Sequence, residues 1–254
     1  MESFSEYNVC GNIKRFKNVS SKDSYLLGYL ACDGGFVVNK GFSFMMVSST
    51  ERYIIDELKA LYLPDSTIHS LGVRSSEKVN AINNVYELRW PGKASKQFSK
   101  YGIFCKKKDR RLVGIPKHEM YSYMAGVIDA DGFISVSHRK DCRSPRLRFF
   151  VTHASELYLA DLQNWLPVST TLRQHKGSCW RLQGQNTEEN KVFLSGVLPF
   201  LRNRKKIKVL SDYLNKYYVP QASGELLESF GQSAAKPQEV EGSETRRLWI
   251  YNTI

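Results

Sequence analysis

The chain has 254 residues, enough for one large domain or for two units of about 100 residues, each with its own core. Its 37 lysines and arginines against 25 aspartates and glutamates give a net charge of +12, which favours an anionic partner, nucleic acid above all. We expect an intracellular protein, since no stretch approaches the ~18 apolar residues of a membrane span and residues 1–17 do not resemble a signal peptide. Five scattered cysteines argue against a zinc site or a disulfide framework.

One apolar helical phrase that ends in an acid and a glycine occurs twice in the chain. Residues 26–34 are LLGYLACDG and residues 124–132 are MAGVIDADG. The two phrases end in a matched pair of carboxylates, Asp33 and Asp131. Paired acids with a divalent cation are a common means of breaking phosphodiesters.

Further landmarks follow both phrases in the same order and at similar distances, which indicates that the chain is a duplicated unit. They are a polar strand end before a helix (47–50 and 151–155), a second strand (86–89 and 180–183) and a basic run (106–108 and 202–206).

Each half is predicted to contain a helix, two strands, a helix, two strands and a helix. In the first half, Phe42, Phe44 and Met46 alternate with Ser43 and Met45, and residues 39–41 predict a tight turn. In the second half, Leu147 and Phe149 alternate with Arg146 and Arg148, and residues 175–178 predict the turn of a later hairpin. The predicted organisation is an N-terminal half at 20–107, a linker at 108–117, a C-terminal half at 118–218 and a flexible tail at 219–254.

Glycine inside a helix costs about 1 kcal/mol relative to alanine, so Gly28 and Gly126 need a structural reason. Gly28 and Cys32 share one helical face, as do Gly126 and Ala130. Two such faces of small residues would let the helices pack backbone to backbone, with the acids together at their carboxyl ends. Acids at the negative ends of two helix dipoles are poorly placed without a cation, and a shared Mg²⁺ would resolve the conflict.

These residues resemble the motif of the LAGLIDADG homing endonucleases, in the single-chain form with two motifs. The second phrase, followed by Phe133-Ile134-Ser135-Val136, is very close to the family pattern. The first departs from it at Leu27, Ala31 and Cys32 but keeps the final acid. The resemblance extends over residues 20–218, since the order of elements also fits.

The resemblance implies an α+β fold of two pseudo-symmetric αββαββα halves, each with a curved antiparallel four-stranded sheet, packed through the motif helices. It implies a monomeric, Mg²⁺-dependent endonuclease of intron homing, with Mn²⁺ or Ca²⁺ able to substitute in binding. Each sheet would lie in the major groove of double-stranded DNA, and a target of about 20 base pairs would be cut to leave short 3′ overhangs.

Several residues match functional positions of the family. Asp33 and Asp131 match the metal-binding acids, and the preceding Cys32 and Ala130 are further candidate ligands. Lys107 and Arg204 match basic residues near the cleavage site, with Lys205 as an alternative, although each could equally contact the DNA backbone or solvent. Ser49 and His153 occupy positions of polar residues that orient water; His153 could also be a proton shuttle or simply hydrogen-bonded.

Side chains that alternate on the groove-facing side of the strands are the candidates for reading bases, since arginine can bind guanine and asparagine or glutamine can bind adenine. The two halves offer different sets, which predicts an asymmetric target. The candidates are Val37, Asn39, Lys40, Glu87 and Arg89 in the first half, and Ser135, Ser137, Arg139, Arg146, Arg148, Arg173, Arg181 and Gln183 in the second.

Two alternatives use the same fold without the same activity. One is a maturase that assists the folding of intron RNA, and the other is a DNA-binding regulator that does not cleave. The presence of both acids favours the nuclease over either.

Overall fold

The structure is a computed structural model, and it describes residues 19–39, 42–76, 79–91, 96–103, 106–138 and 145–218. Its first half contains α1 (Ser21–Asp33), β1 (Gly34–Asn39), β2 (Phe42–Ser49), α2 (Arg52–Tyr62), β3 (His69–Ser76) and β4 (Val79–Pro91). Its second half contains α3 (Met120–Asp131), β5 (Gly132–Ser137), β6 (Arg146–His153), α4 (Glu156–Trp165), β7 (Thr170–Gln174), β8 (Trp180–Gly184), α5 (Thr187–Val197) and α6 (Arg204–Tyr217). The predicted tail, 219–254, lies outside the described residues.

Local sequence signals explain where the principal helices begin. Helix α1 starts with a capping box, in which the Ser20 hydroxyl accepts a hydrogen bond from the Asp23 backbone N–H and the Asp23 carboxylate accepts one from the Ser20 N–H. Ser155 caps α4 through the Tyr158 N–H, and Asn203 caps α6.

Two antiparallel four-stranded sheets have the same topology, β1-β2-β4-β3 and β5-β6-β8-β7. In each sheet one face packs into the core through alternate residues. Met45, Val47, Leu88 and Trp90 are buried in the first sheet; Leu147, Phe149, Val151 and Leu182 are buried in the second. The predicted α+β fold with two repeated halves is confirmed.

The register of β2 differs from the one that its apolar alternation favours. Met45 and Val47 face the core, so Phe44 and Met46 lie on the outer face, where Phe44 pairs with Val37 and Met46 with Arg89. Because successive residues of a strand point to opposite faces, a phase difference of one residue exchanges the two faces completely.

The third helix predicted for the first half is represented, among residues 96–103, by a 3₁₀ helix at Lys96–Tyr101. Phe98 of this turn is buried edge-on against Trp90, with ring centroids 6.1 Å apart. The following segment is held against α4, because Arg111 and the Leu112 N–H both contact the Asp161 carboxylate. None of the helices in the described ranges is both long and apolar enough to cross a membrane.

Candidate functional site

Helices α1 and α3 pack against each other through the two motif glycines. A Cβ atom on Gly28 would lie less than 3.0 Å from the Tyr123 carbonyl oxygen, and one on Gly126 less than 3.0 Å from the Tyr25 carbonyl oxygen. Only glycine permits this approach, which confirms the contact predicted from the sequence. Asp33 and Asp131 are the last residues of these helices, so the contact places the two acids in one electrostatic environment.

The ionisation of the two acids is linked to burial and to the charges around them. Burial, followed by repulsion from Asp131, raises the pKa of Asp33 to about 6. Burial also raises the pKa of Asp131. Lys107, Lys206 and Arg110 have the opposite effect and lower the pKa of both carboxyls. The site therefore combines two partly buried acids with three cationic side chains.

Lys206 is the basic residue of the second half that reaches the acid-bearing helix end. Its Nζ donates hydrogen bonds to the carbonyl oxygens of Ile128 (2.6 Å) and Asp129 (2.9 Å) in the last turn of α3. Lys107 belongs to an exposed 3₁₀ helix, and its charge acts on both aspartates. The structure thus brings the predicted Lys107 to the site, together with Lys206, which the sequence prediction missed.

Arg204 and Lys205, the basic residues predicted for this position, make their side-chain contacts elsewhere, and Lys206 lies at the end of α3 instead. The Arg204 guanidinium lies over the ring of Tyr53 at 4.6 Å, and Lys205 pairs with Glu51 at 3.3 Å. Both partners belong to the start of α2. Residues 204–206 open α6, and successive residues of a helix point about 100° apart, so only one of the three can face the end of α3.

His153 has both ring nitrogens occupied by protein groups. Its Nδ1 accepts a hydrogen bond from the Ser155 N–H (2.9 Å), so Nε2 carries the hydrogen and donates it to the Ala31 carbonyl oxygen (3.1 Å). Burial, and then the positive charge of Arg110, lowers the pKa of His153 to about 4, and the ring is neutral at pH 7. The structure thus shows the hydrogen-bonded arrangement of His153, and the role in orienting water or shuttling a proton stays a prediction.

Ser49 stands at the pseudo-symmetric position in the first half. Its hydroxyl accepts a hydrogen bond from the Glu51 N–H (3.1 Å) and bonds the hydroxyl of Tyr29. Burial, and then the negative charge of Asp33, raises the pKa of Tyr29. The effect of this charge indicates that Ser49 and Tyr29 lie close to Asp33. Orientation of water by Ser49 stays a prediction.

Arg110 is a completely buried arginine that sequence reasoning left in the linker. Its guanidinium donates hydrogen bonds to the carbonyl oxygens of Ala31 (2.6 Å), Leu30 (3.2 Å) and Gly34 (2.5 Å). These carbonyls precede and follow Asp33. The nearby basic run was the one signal in the sequence, and it did not distinguish Arg110 from its exposed neighbours.

The candidate ligand atoms around Asp33 and Asp131 suit a metal ion that takes few ligands from the protein. In the described part of the chain, no group of three or more His, Cys, Asp and Glu side chains could enclose a metal ion. The predicted ligand Cys32 has a buried thiol, and burial, followed by the charges of Asp131 and Asp33, raises its pKa. Cys32 and Ala130 can therefore offer only backbone carbonyl oxygens. Two carboxylates fit Mg²⁺, which completes its octahedral shell with water and phosphate oxygens.

The outer face of the second sheet collects most of the predicted base-reading residues. Strand pairing places Ser135 opposite Arg148 and Arg173 opposite Arg181. Gln183 is nearly buried, and its side-chain oxygen accepts a hydrogen bond from Arg173 (3.3 Å). Arg139 lies outside the described residues. The predicted base-reading residues that the structure places on this face are Ser135, Ser137, Arg146, Arg148, Arg173, Arg181 and Gln183.

An open cavity of about 630 Å³ on the same face connects Asp131 with the turn between β7 and β8. Phe133 and Phe150 line it, and Phe133 is 63% exposed. Arg181 lies over the Phe150 ring at 5.4 Å. Sequence reasoning missed both aromatic residues because it sought polar side chains, although apolar groups can contact the thymine methyl.

The outer face of the first sheet is more apolar. Val37 and Arg89 lie on this face as predicted, next to Phe44 and Met46. Glu87 is only 3% exposed, and it accepts a hydrogen bond from the Arg89 Nε at 2.6 Å. Burial and pairing thus make Glu87 a support for Arg89 in the structure, and its contact with a base stays a prediction. The side chain of Asn39 and all of Lys40 lie outside the described residues.

Comparisons with known proteins identify the fold. Neither a scan against protein-family models nor a search of curated proteins finds a match. The meganuclease I-AabMI bound to uncleaved DNA has 12% sequence identity and a TM-score of 0.53, over 78% of this chain and 90% of that chain. The LAGLIDADG homing endonuclease I-GzeII in complex with its DNA target has 15% identity and a TM-score of 0.53, over 78% and 89%.

A third solved structure, the meganuclease I-SmaMI bound to uncleaveable DNA, has 12% identity and a TM-score of 0.52, over 77% of this chain and 90% of that chain. At such identities the likeness concerns the fold. It covers both repeated halves, and it shows that the described chain is folded as a two-motif LAGLIDADG protein.

Proposed function

We propose that this chain, which has the fold of the LAGLIDADG homing endonucleases, is a monomeric site-specific DNA endonuclease. It makes a Mg²⁺-dependent double-strand break with short 3′ overhangs in an asymmetric target of about 20 base pairs. The observation that carries the proposal is the position of Asp33 and Asp131. They lie at the ends of two helices that pack together through glycines, and cationic groups surround them.

The chemistry follows from this arrangement. Mg²⁺, when bound, lowers the pKa of an attacking water and stabilises the leaving oxygen of a phosphodiester. Asp33 and Asp131 would hold it, and its charge would favour the ionised form of both carboxyls. Lys107 and Lys206 supply positive charge where the scissile phosphate becomes more negative.

The outer faces of the sheets support DNA as the substrate. The arginines of the second sheet suit guanine and phosphate contacts, and the apolar first sheet around Phe44 and Met46 suits thymine methyl groups. The difference between these faces supports an asymmetric target.

The proposal is tested with supercoiled plasmid that carries the insertion site of the gene itself. Wild-type protein with Mg²⁺ should linearise the plasmid. Asp33→Asn and Asp131→Asn should bind the site with unchanged affinity but should not produce linear DNA, because a neutral amide does not hold the cation. Asp56→Asn, at an exposed residue of α2 that pairs with Arg52, is the matched control and should cut normally.

Binding without cleavage by the wild-type protein would indicate the regulator instead. Selective binding to the intron transcript, without binding to the DNA site, would indicate the maturase. Either result would contradict the nuclease.

A further inference from the structure

The carboxyl end of α1 is held by a buried network of residues from the linker and the second half. Arg110 and His153 both donate to the Ala31 carbonyl oxygen, two residues before Asp33. Ser155 joins them, because its hydroxyl donates to the Arg110 carbonyl oxygen (2.9 Å) and its N–H donates to His153 Nδ1 (2.9 Å).

This network holds the backbone on both sides of Asp33. The guanidinium reaches Leu30 and Ala31 before the acid and Gly34 after it. Arginine suits this task because its planar guanidinium spreads several N–H donors over three nitrogens in a fixed geometry, whereas the three donors of lysine share one nitrogen. Loss of the guanidinium would leave buried carbonyl oxygens without partners.

The end of α3, which carries Asp131, is held differently. Lys206 donates to Ile128 and Asp129, and the Thr152 hydroxyl donates a long hydrogen bond to the Asp131 carbonyl oxygen (3.4 Å). Within the described residues, no arginine or histidine repeats the network of α1 at this end. The two acids are thus positioned by different groups.

We propose that Arg110 and His153 are positioning residues for Asp33, and that they set the rate of DNA cleavage without setting the affinity for DNA. This inference rests on the proposed function. Neither residue would touch the substrate, and both would act by fixing the main chain from which the Asp33 carboxylate projects. A displacement of about 1 Å at a reacting group can cost on the order of 100-fold in rate.

The test measures the rate of cleavage of a fluorescently labelled duplex target under single-turnover conditions with Mg²⁺. Arg110→Lys and His153→Phe should each slow cleavage about ten-fold or more, and should change the affinity for DNA by less than about two-fold. Arg111→Ala is the control, since Arg111 is the next residue, is exposed and pairs with Asp161 away from α1.

Thermal unfolding and DNA affinity, measured for each variant, separate positioning from loss of the fold. If Arg110→Lys does not fold, His153→Phe decides the question. A folded variant that cuts as fast as the wild type, or whose slower cleavage is matched by weaker DNA binding, would overturn the inference while the proposed function stands. Wild-type protein that cuts neither strand would overturn both.

Discussion

Some of the groups around the Asp33 carboxyl disfavour its ionisation, and others favour it. Burial and Asp131 disfavour the ionised form, and Lys107, Lys206 and Arg110 favour it. The net result is a pKa of about 6, above the ordinary value of 3.8. A carboxyl whose pKa is raised on folding stabilises the protein at pH values below its unfolded pKa, and this contribution is lost as the pH rises through the folded pKa.

Asp33→Asn should therefore stabilise the metal-free protein at pH 8, by about 1–3 kcal/mol, since one pKa unit corresponds to about 1.4 kcal/mol. Urea unfolding in the presence of a chelator measures the effect, which should disappear near pH 4. Addition of Mg²⁺ should raise the stability of the wild type and leave the variant nearly unchanged. A variant that is less stable than the wild type at pH 8 would contradict this account.

Single residues were predictable where the motif itself contains them. Asp33 and Asp131 follow directly from the repeated phrase. Arg110 could not be found in this way, because its partners are backbone carbonyls 76 to 80 residues distant in sequence. Lys206 was missed because the residue at which α6 begins decides which basic side chain faces α3. The basic residues of the run at 202–206 do not mark this starting point.

At the scale of elements, the contact between α1 and α3 depends on the absence of a side chain at two positions. Gly28→Ala would put a methyl group against the backbone of Tyr123, which cannot move aside as a side chain can. We expect a loss of at least about 1–3 kcal/mol in the free energy of unfolding. Urea unfolding measures it, and DNA cleavage should fall with it, because the helix ends separate.

Gly35→Ala is a suitable control for this substitution. The new methyl group would meet only the flexible end of Met46 on the outer face of the sheet. We expect a change of less than about 1 kcal/mol. Equal destabilisation by the two variants would contradict close packing of the helices as the reason for Gly28.

The order of helices and strands was predictable, because periodicity and the repeat support each other. Which side of a strand or helix faces the core was harder to predict. In β2 the apolar residues occupy both faces, and the core face is decided by its partner β4, which turns Leu88 and Trp90 inward. The end of the first half contains a 3₁₀ helix among residues 96–103, where the repeat predicted a full helix.

At the scale of the whole molecule, the net charge of +12 and the arginines on the second sheet predict binding that weakens with salt. If the interface neutralises about 6–10 phosphates, the affinity should fall about 10³–10⁵-fold between 50 and 200 mM salt. Fluorescence anisotropy with the labelled target measures this slope. Arg148→Gln should weaken binding, whereas Arg52→Gln, on the exposed side of α2, should not.

The hydroxyl of Tyr25 donates a buried hydrogen bond to Asp129 in the other half (2.9 Å). In the repeat, the counterpart of Asp129 is Ala31, so two copies of the first half would leave this hydroxyl facing an alanine. A buried hydroxyl without an acceptor costs about 1–3 kcal/mol. The two halves are therefore not interchangeable at this contact, and an assembly of two identical first halves would lack a hydrogen bond that joins α1 to α3 here.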